Sequence, residues 1–364
     1  QAFAAGLQSV GVTRGSHVGL LADNRKEWFI ADLAILSLGA ADVPRGTDAP
    51  DPEVKTILGF AECGTVIVEN GHQLERVAGM RGELKQMKQL IVLDPSFTRD
   101  QAPDLPKRLK LHLYSELFDA GTQSLREDSG RIDREIDQGQ RDDLATIIFT
   151  SGTTGEPKGV MLSHGNFLHQ VEHVPELIDV GPGDIWLCVL PVWHSFERIM
   201  QYVALGTASA LAYSKPIGKI MLADFAAVRP TWMASVPRIW ESIRAGIYRN
   251  VQSQGGLSAA LFRFFVAVGK MHSYFADLVG GRMPQFRRRL RVLDFLYGIL
   301  PYLLLWPFRA LGNVLVFKKI RNRLGGRFVA GISGGGALPE YVDSFFAAAG
   351  VLLLEGYGLT ETAP

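Results

Sequence analysis

Residues 150–159 read TSGTTGEPKG, ten positions that hold three glycines, four hydroxyl side chains and one lysine. Gly152 and Gly155 let backbone amides approach an anion with no Cβ in the way. Thr150, Ser151, Thr153 and Thr154 add hydroxyl donors, and Lys158 adds a positive charge, so the chemistry indicated is phosphate binding. The standard phosphate loop is excluded by spacing: five positions on from Gly152 stands Pro157, and Lys158 is followed by Gly159 where that loop carries Ser or Thr. A conventional kinase or NTPase of that type is therefore disfavoured.

Three further groups have chemical potential. Thr360 and Glu361, in GLTET, put a hydroxyl and a carboxylate on adjacent residues at the end of a strand; alone, such a pair is far more often surface decoration than a metal site. The run SGGGALP places Gly334, Gly335 and Gly336 and then Ala337 after an apolar strand, where a flat ring could lie against bare backbone. Tyr357 offers an aromatic face and Gly358 leaves room beside it; the same residues would also serve as a tight turn with a core tyrosine. His194 stands between Trp193 and Ser195, one turn before Arg198; alone it reads as a structural hydrogen-bonding group. His164, in LSHGN, reads as a helix start.

These residues need a scaffold, and the chain predicts an α/β one. Short apolar runs alternate with segments of helical period. The predicted strands are HVGLLA, TVIVEN, QLIVLD, ATIIFT, GVMLS, DIWLCVL, SALAYS, TWMASV, RFVAGIS and VLLLEG. RKEWFIADLAILSLGA predicts a helix with Trp28, Phe29, Ala31, Leu33 and Ile35 apolar and a stop at Gly39. PEYVDSFFAAAG predicts another, with Tyr341, Val342, Phe345, Phe346 and Ala349 on one face and Gly350 ending it. Residues 96–142 carry charge runs and predict a surface excursion. ATIIFT and GVMLS bracket the phosphate-binding stretch, which is thereby held at both ends.

TSGTTGEPKGV resembles the signature loop of the acyl-adenylate-forming superfamily, which includes acyl-CoA synthetases, amino-acid adenylation domains and beetle luciferases. LPVWHSFERIMQ is similar to its gate motif, ASVPRIWES to a further motif, and SGGGALP followed by EGYGLTETAP to its adenine-binding pair. The resemblance covers essentially the whole chain. It implies a large N-terminal adenylation domain of doubly wound sheets and packed helices, residues 1–364 forming part of it. It also implies a reaction in two halves: a carboxylate attacks the α-phosphate of ATP to give acyl-adenylate and pyrophosphate, and a thiol then displaces AMP. The loop would hold the β- and γ-phosphates, Thr360 would contact the α-phosphate, Glu361 would bind Mg²⁺ with Thr150 as a near-metal hydroxyl, and His194 would gate or orient the substrate carboxylate. One departure is that Ala337 stands where many relatives have proline, with Pro339 two positions later, which shifts the adenine-contact register.

Amino-acid-activating relatives place an aspartate beside the gate to pair the substrate ammonium, since an unpaired buried charge is costly. Residues 186–196 contain none before Glu197, so the substrate implied is a plain carboxylic acid. Residues 252–325 form a hydrophobic and basic helical insertion resembling the long-chain members, and GAADVPRGTDAP resembles a stretch of long-chain acyl-CoA and acyl-carrier-protein synthetases. The substrates implied are a long-chain fatty acid and ATP, with CoA or holo-acyl carrier protein as acceptor; a noncatalytic nucleotide- or lipid-binding relative is the alternative. Phe295 to Phe308 is uncharged over 14 residues and holds two prolines, with Arg287, Arg288, Arg289 and Arg291 before it and Lys318, Lys319, Arg321 and Arg323 after it. That length falls short of a membrane span. It suits either a helix at a membrane interface or one packed on the core.

Composition bounds the rest. The 364 residues are 47% hydrophobic with a formal net charge of +1, enough for a sizeable core and no global case for nucleic acid. Cys63 and Cys188 predict buried thiols rather than a disulfide framework. No signal segment opens the sequence, so a cytoplasmic enzyme, possible membrane contact being peripheral through 287–323, is the expectation. The first residue is Gln and the last run is LTETAP; both ends look cut, and the expectation is a fragment, itself with little activity, that lacks a small C-terminal domain with a catalytic lysine.

Overall fold

The computed structural model describes residues 1–151, 157–283 and 290–363, without the side chain of Ser151. The chain divides into two compact units. The first comprises Gln1–Asp179, Pro191–Gly206 and Gly358–Pro364; the second comprises Val180–Leu190 and Thr207–Tyr357.

The first unit is built on seven strands: β1 (His17–Leu21), β2 (Ala41–Arg45), β3 (Thr65–Val68), β4 (Gln89–Val92), β5 (Lys110–Leu113), β6 (Leu144–Ser151) and β7 (Pro157–Ser163). Their order is β5-β4-β3-β1-β2-β6-β7. All neighbours are parallel except β6 and β7, which form an antiparallel pair. Strands β3 and β4 are buried along their whole length, which is why they read as unbroken apolar runs rather than as alternating ones. Val43, Val66, Val68, Leu90 and Val92 meet Val54, Ile57 and Leu74 from the covering helices in one core cluster.

The second unit has five parallel strands: β8 (Ile185–Cys188), β9 (Ala210–Tyr213), β10 (Trp232–Ser235), β11 (Ala330–Ser333) and β12 (Leu352–Glu355), in the order β12-β11-β10-β8-β9. In both sheets the chain moves first to one side of the starting strand and then to the other. That reversal is the doubly wound pattern, and it opens a crevice at the carboxyl ends of the strands on either side of it.

Every predicted strand is present, and both predicted helices form, over Lys26–Ser37 and Glu340–Ala349. Pro339 is the N-cap residue of the second helix, and Gly350 ends it with φ +74°. Tyr341 does not share the buried face with Val342, Phe345, Phe346 and Ala349; it is exposed. Both cysteines are buried thiols.

Two strands escape the sequence pattern. β2 carries Pro44, which argues against a central strand. It is tolerated because β2 pairs with β6 in register only at Asp42–Thr146, so little of the ladder is lost. β5 is an edge strand with an exposed start at Lys110, so its apolar signal is weak. The expectation of a surface excursion over 96–142 is corrected in part. The helix Tyr114–Glu127 inside it buries Tyr114, Leu117 and Gly121. It packs on the helix Ala2–Ser9, where a Cβ on Gly121 would come 2.7 Å from the Gly6 nitrogen. One buried stripe at helical spacing was hidden among charged neighbours.

Candidate functional site

In the first unit, β6 carries Ala145, Thr146, Ile147, Ile148 and Phe149 buried in succession, then half-buried Thr150, and ends at Ser151. The antiparallel register puts Thr150 opposite Lys158 and Ser151 opposite Pro157. Directly opposed residues project from the same face of such a pair, so the Thr150 hydroxyl and the exposed Lys158 ammonium share one face of the hairpin. Gly159 opposes Phe149, and a Cβ there would lie 2.9 Å from Ile147 Cγ2; glycine lets β7 close onto β6. Gly152, Thr153, Thr154 and Gly155 fall outside the described residues.

Thr360 and Glu361 open a short 3₁₀ turn, Thr360–Thr362, which packs against β7, the strand of Lys158. The Leu359 N–H donates to Thr362 Oγ1 at 3.0 Å, and Gln170 Nε2 donates to the Ala363 carbonyl at 2.7 Å. The turn is thus fixed from within and from the neighbouring helix His164–Leu177. Thr360 is buried, whereas the Glu361 carboxylate is exposed and has no ion pair among the described residues. A carboxylate so presented, on an anchored turn beside Thr and Lys donors, fits a Mg²⁺ that completes its shell with phosphate oxygens and water. His164 is the first residue of its helix, behind the Ser163 cap.

His194 precedes the helix Ser195–Gly206. Its N–H donates to the Pro191 carbonyl at 3.0 Å, and its Nδ1 accepts from the Phe196 N–H at 3.4 Å, which leaves Nε2 as the outward N–H. The residue is exposed, yet partial burial of its imidazole, with the Arg45 guanidinium adding to it, holds its pKa below the ordinary value of 6.5. His194 is therefore neutral at pH 7 and can donate a hydrogen bond to a carboxylate. Arg45 lies 4.4 Å over the Trp193 ring and pairs with Glu53 at 2.6 Å.

One turn on, Arg198 is fully buried and organises a polar cluster that sequence reasoning missed. Its Nη1 donates to Thr146 Oγ1 at 2.9 Å, its Nε to the Tyr202 hydroxyl at 2.7 Å, and its Nη2 to Asp42 Oδ1 at 2.8 Å and to Asp32 Oδ1. The Tyr202 hydroxyl in turn donates to Asp32 Oδ2 at 2.6 Å. Two buried carboxylates thus face one guanidinium, and Asp42 Oδ2 has no hydrogen-bond partner among the described residues. Burial, with the neighbouring Asp42 charge, raises Asp32 from 3.8 to about 7 against the pull of Arg198. The cluster joins the helix that follows His194 to β2 and to β6, the strand that feeds the phosphate-binding stretch. It is a positioning device for both.

In the second unit, β11 runs out at Ser333 into Gly334, Gly335 and Gly336. The Gly334 N–H donates to the Ser235 carbonyl at 3.0 Å, and Gly335 has φ +73°, a left-handed backbone that glycine adopts without strain. The Gly356 N–H donates to the Ser333 carbonyl at 2.8 Å, and the Leu338 N–H to Glu355 Oε1 at 2.9 Å. These bonds bring the glycine run and the exit of β12, with Tyr357, together. Gly335, Gly336 and Ala337 are exposed, and Tyr357 is 94% exposed; it is not a core tyrosine. Ser235 and Ser333, paired in register at the carboxyl ends of β10 and β11, have buried hydroxyls without hydrogen-bond partners among the described residues. A bare glycine backbone, a free aromatic face and orphaned hydroxyls at a strand-end crevice fit a planar, polar ring system such as a nucleobase.

The AMP-binding enzyme profile matches residues 1–364. The chain belongs to the AMP-binding enzyme family. It is 32% identical over 374 residues to the long-chain-fatty-acid–[acyl-carrier-protein] ligase AEE15 of Arabidopsis thaliana, covering all of this chain and 50% of that protein. To the peroxisomal long chain acyl-CoA synthetase 7 of the same plant it is 30% identical over 367 residues, covering 47% of it. The chain thus spans about half the length of the curated relatives it matches. Among solved structures, the N-terminal domain of FACL13 from Mycobacterium tuberculosis superposes with TM-score 0.62 at 19% identity, over 100% of this chain and 68% of that one. FadD1 from Archaeoglobus fulgidus gives TM-score 0.62 at 16% identity over 100% and 56%. Both are likenesses of fold, that of the adenylation domains of this AMP-binding family. The Arg198 cluster had one legible sign in this AMP-binding sequence: Asp32 interrupts FIADLAIL and Asp42 interrupts GAADVP, charges inside runs too apolar to be surface.

Proposed function

We propose that the protein activates a long-chain fatty acid with ATP, forming acyl-AMP and pyrophosphate, and passes the acyl group to the thiol of CoA. The observation that carries the reading is the β6–β7 hairpin, which presents Thr150 and Lys158 on one face while the Thr360–Glu361 turn packs on the same strand. In this reading the loop from Thr150 to Lys158, including Ser151, Gly152, Thr153, Thr154 and Gly155, holds the departing pyrophosphate. Thr360 donates to the α-phosphate, and His194, neutral, orients the attacking carboxylate. Gly334, Gly335, Gly336 and Ala337 lie along the adenine with Tyr357 and Gly358. Glu361, with Thr150, would hold Mg²⁺, which would neutralise phosphate charge. Fixed donors aimed at the charge that develops on phosphorus are the leading catalytic term.

A second reading has holo-acyl carrier protein as the acceptor, favoured by the acyl-carrier-protein ligase among the relatives. The reading includes the cytoplasm as location, with a peripheral membrane contact through residues 287–323. The test is thioester formation by the full-length protein from acids of medium to long chain, offered CoA and holo-acyl carrier protein in parallel. Thioester with CoA alone supports the first reading, with carrier protein alone the second, and activation of amino acids alone sinks both.

A further inference from the structure

The helix Arg291–Gly312 takes up the uncharged stretch Phe295–Phe308 with both of its prolines, so the expectation of a short apolar segment is corrected. Helical structure runs on through a π turn, Asn313–Phe317, to Arg323. Leu293, Leu296, Leu300, Leu303 and Leu304 are exposed, which overturns the expectation of an apolar face packed on the core. Other positions of the helix face inward. A Cβ on Gly298 would lie 3.1 Å from Val279 Cγ2 and one on Gly312 2.8 Å from Phe265 Cδ1, both on the helix Gly256–Gly280. That helix in turn packs on Glu340–Ala349, where a Cβ on Gly269 would come 2.9 Å from Ala348 Cβ.

The three helices and the amino ends of β11 and β12 line a cleft of about 870 Å³, a size that suits a small organic ligand. Three of its apolar residues, Trp306, Val329 and Leu352, are each about half exposed. Its polar residues include His272 and Arg309. Arg309 is half-buried, its guanidinium 4.5 Å over the Phe317 ring, and it has no ion pair and no hydrogen bond among the described residues. Capping of the helix Glu340–Ala349 does not account for it. That task falls to Arg321, whose Nη1 donates to the Ala349 carbonyl at 2.6 Å and whose Nη2 donates to Asn313 Oδ1 at 2.6 Å. Both guanidiniums converge on the turn after that helix: a Cβ on Gly350 would lie 3.3 Å from Arg309 Nη2 and 3.3 Å from Arg321 Nη1. Burial and the Arg321 charge therefore disfavour the Arg309 cation. The carboxylates of the cleft are engaged elsewhere. Asp277 pairs with Arg282 at 2.8 Å, and Asp343 is itself raised by burial and by the Asp277 charge.

His272 adds a second unanswered group. Its ring centroid lies 4.8 Å from that of Tyr302, and its Nε2 is buried without a hydrogen-bond partner among the described residues. Burial, then Arg309, lowers its pKa below 6.5, so at pH 7 the ring is neutral and, as the Nε2–H tautomer, a donor. An unpaired cation and an orphaned donor in one cleft both call for a negatively charged acceptor. We propose that the cleft is a second binding site of this unit, for an organic anion: a carboxylate or phosphate monoester whose oxygens meet Arg309 and the His272 Nε2–H while its apolar body lies along Trp306, Val329 and Leu352. Val329 and Leu352 stand at the amino ends of β11 and β12, whereas the glycine run and Tyr357 follow their carboxyl ends, so the site is separate from the nucleobase-type surface. It does not depend on the ligase reading.

The test is calorimetric titration of the full-length protein with phenyl phosphate, phenylacetate and inorganic phosphate. At least one of the two organic anions should bind, more tightly than inorganic phosphate, and the tighter of them identifies the head group. Arg309→Gln should weaken that binding about tenfold or more, the loss expected of a charge-assisted hydrogen bond, and keep the wild-type melting temperature. Trp306→Ala, at an exposed position, should weaken the organic anion and leave inorganic phosphate unchanged. Saturating ATP should not displace the probe. The proposal is overturned if neither organic anion binds, if both variants bind like wild type, or if ATP competes, which would put the anion in the nucleotide site. Absence of fatty-acid-dependent pyrophosphate exchange would sink the ligase reading and leave this site standing.

Discussion

Glu361 offers the site an exposed carboxylate on a turn held by the Leu359–Thr362 bonds and by Gln170 from the neighbouring helix. Glu361→Ala should therefore lower adenylate formation about a hundredfold or more and leave stability within about 0.5 kcal/mol, as for other surface substitutions; pyrophosphate exchange and urea unfolding measure the two. Arg198 is the opposite case. Arg198→Ala would leave Asp32 and Asp42 buried without a countercharge, and loss of one partner from such a cluster costs about 3–5 kcal/mol, read as a lower urea midpoint. The cluster also titrates. The folded-state pKa of Asp32 is raised from 3.8 to about 7, so in that window the folded protein holds a proton that the unfolded chain has released. Stability contributed by this group therefore falls as pH rises from about 4 to about 7 and then levels off. Asp32→Asn removes the titration, so the variant should gain on wild type through that window; a constant difference between them would contradict the assignment. At this scale Thr150 to Lys158 stood out as a candidate phosphate site because hydroxyls, glycines and a lysine cluster along the chain, whereas Glu361 was singled out only through the resemblance of GYGLTE to a family motif. Asp32, Asp42, Thr146 and Arg198 were not legible as a cluster, because they meet only through folding.

Elements put those residues in place, and glycine sets several of the close approaches. Gly331 in β11 lies directly under the Trp240 ring, which occupies the space a Cβ would need. Gly331→Val must displace the buried indole or the strand, at about 1–3 kcal/mol. Because Gly334–Gly336 continue from β11, the variant should also bind ATP more weakly than its loss of stability alone accounts for; calorimetric titration at a temperature where it is fully folded checks this. The sequence pattern found fully buried strands such as β3, β4 and β10. It missed β2, where Pro44 contradicts the strand pattern, and β5, where edge exposure dilutes it. The helix Tyr114–Glu127 was hidden because it buries one narrow stripe and turns its charges to solvent. Helix 291–312 was legible as apolar, but what its apolar face meets is a tertiary property that composition does not carry.

For the molecule as a whole, each of the two units has its own sheet with its own strand-order reversal, and each carries its own group of candidate site residues. Membership of the AMP-binding enzyme family rests on the match over residues 1–364. The central claim is that the phosphate chemistry is adenylation of a fatty carboxylate rather than transfer of a terminal phosphate. The direct measurement is ATP–[³²P]pyrophosphate exchange by the full-length protein with and without palmitate, with nucleotide products resolved after thioester formation. The account predicts exchange that depends on palmitate, and AMP as the nucleotide released. Release of ADP, or no exchange with any fatty acid, would contradict it.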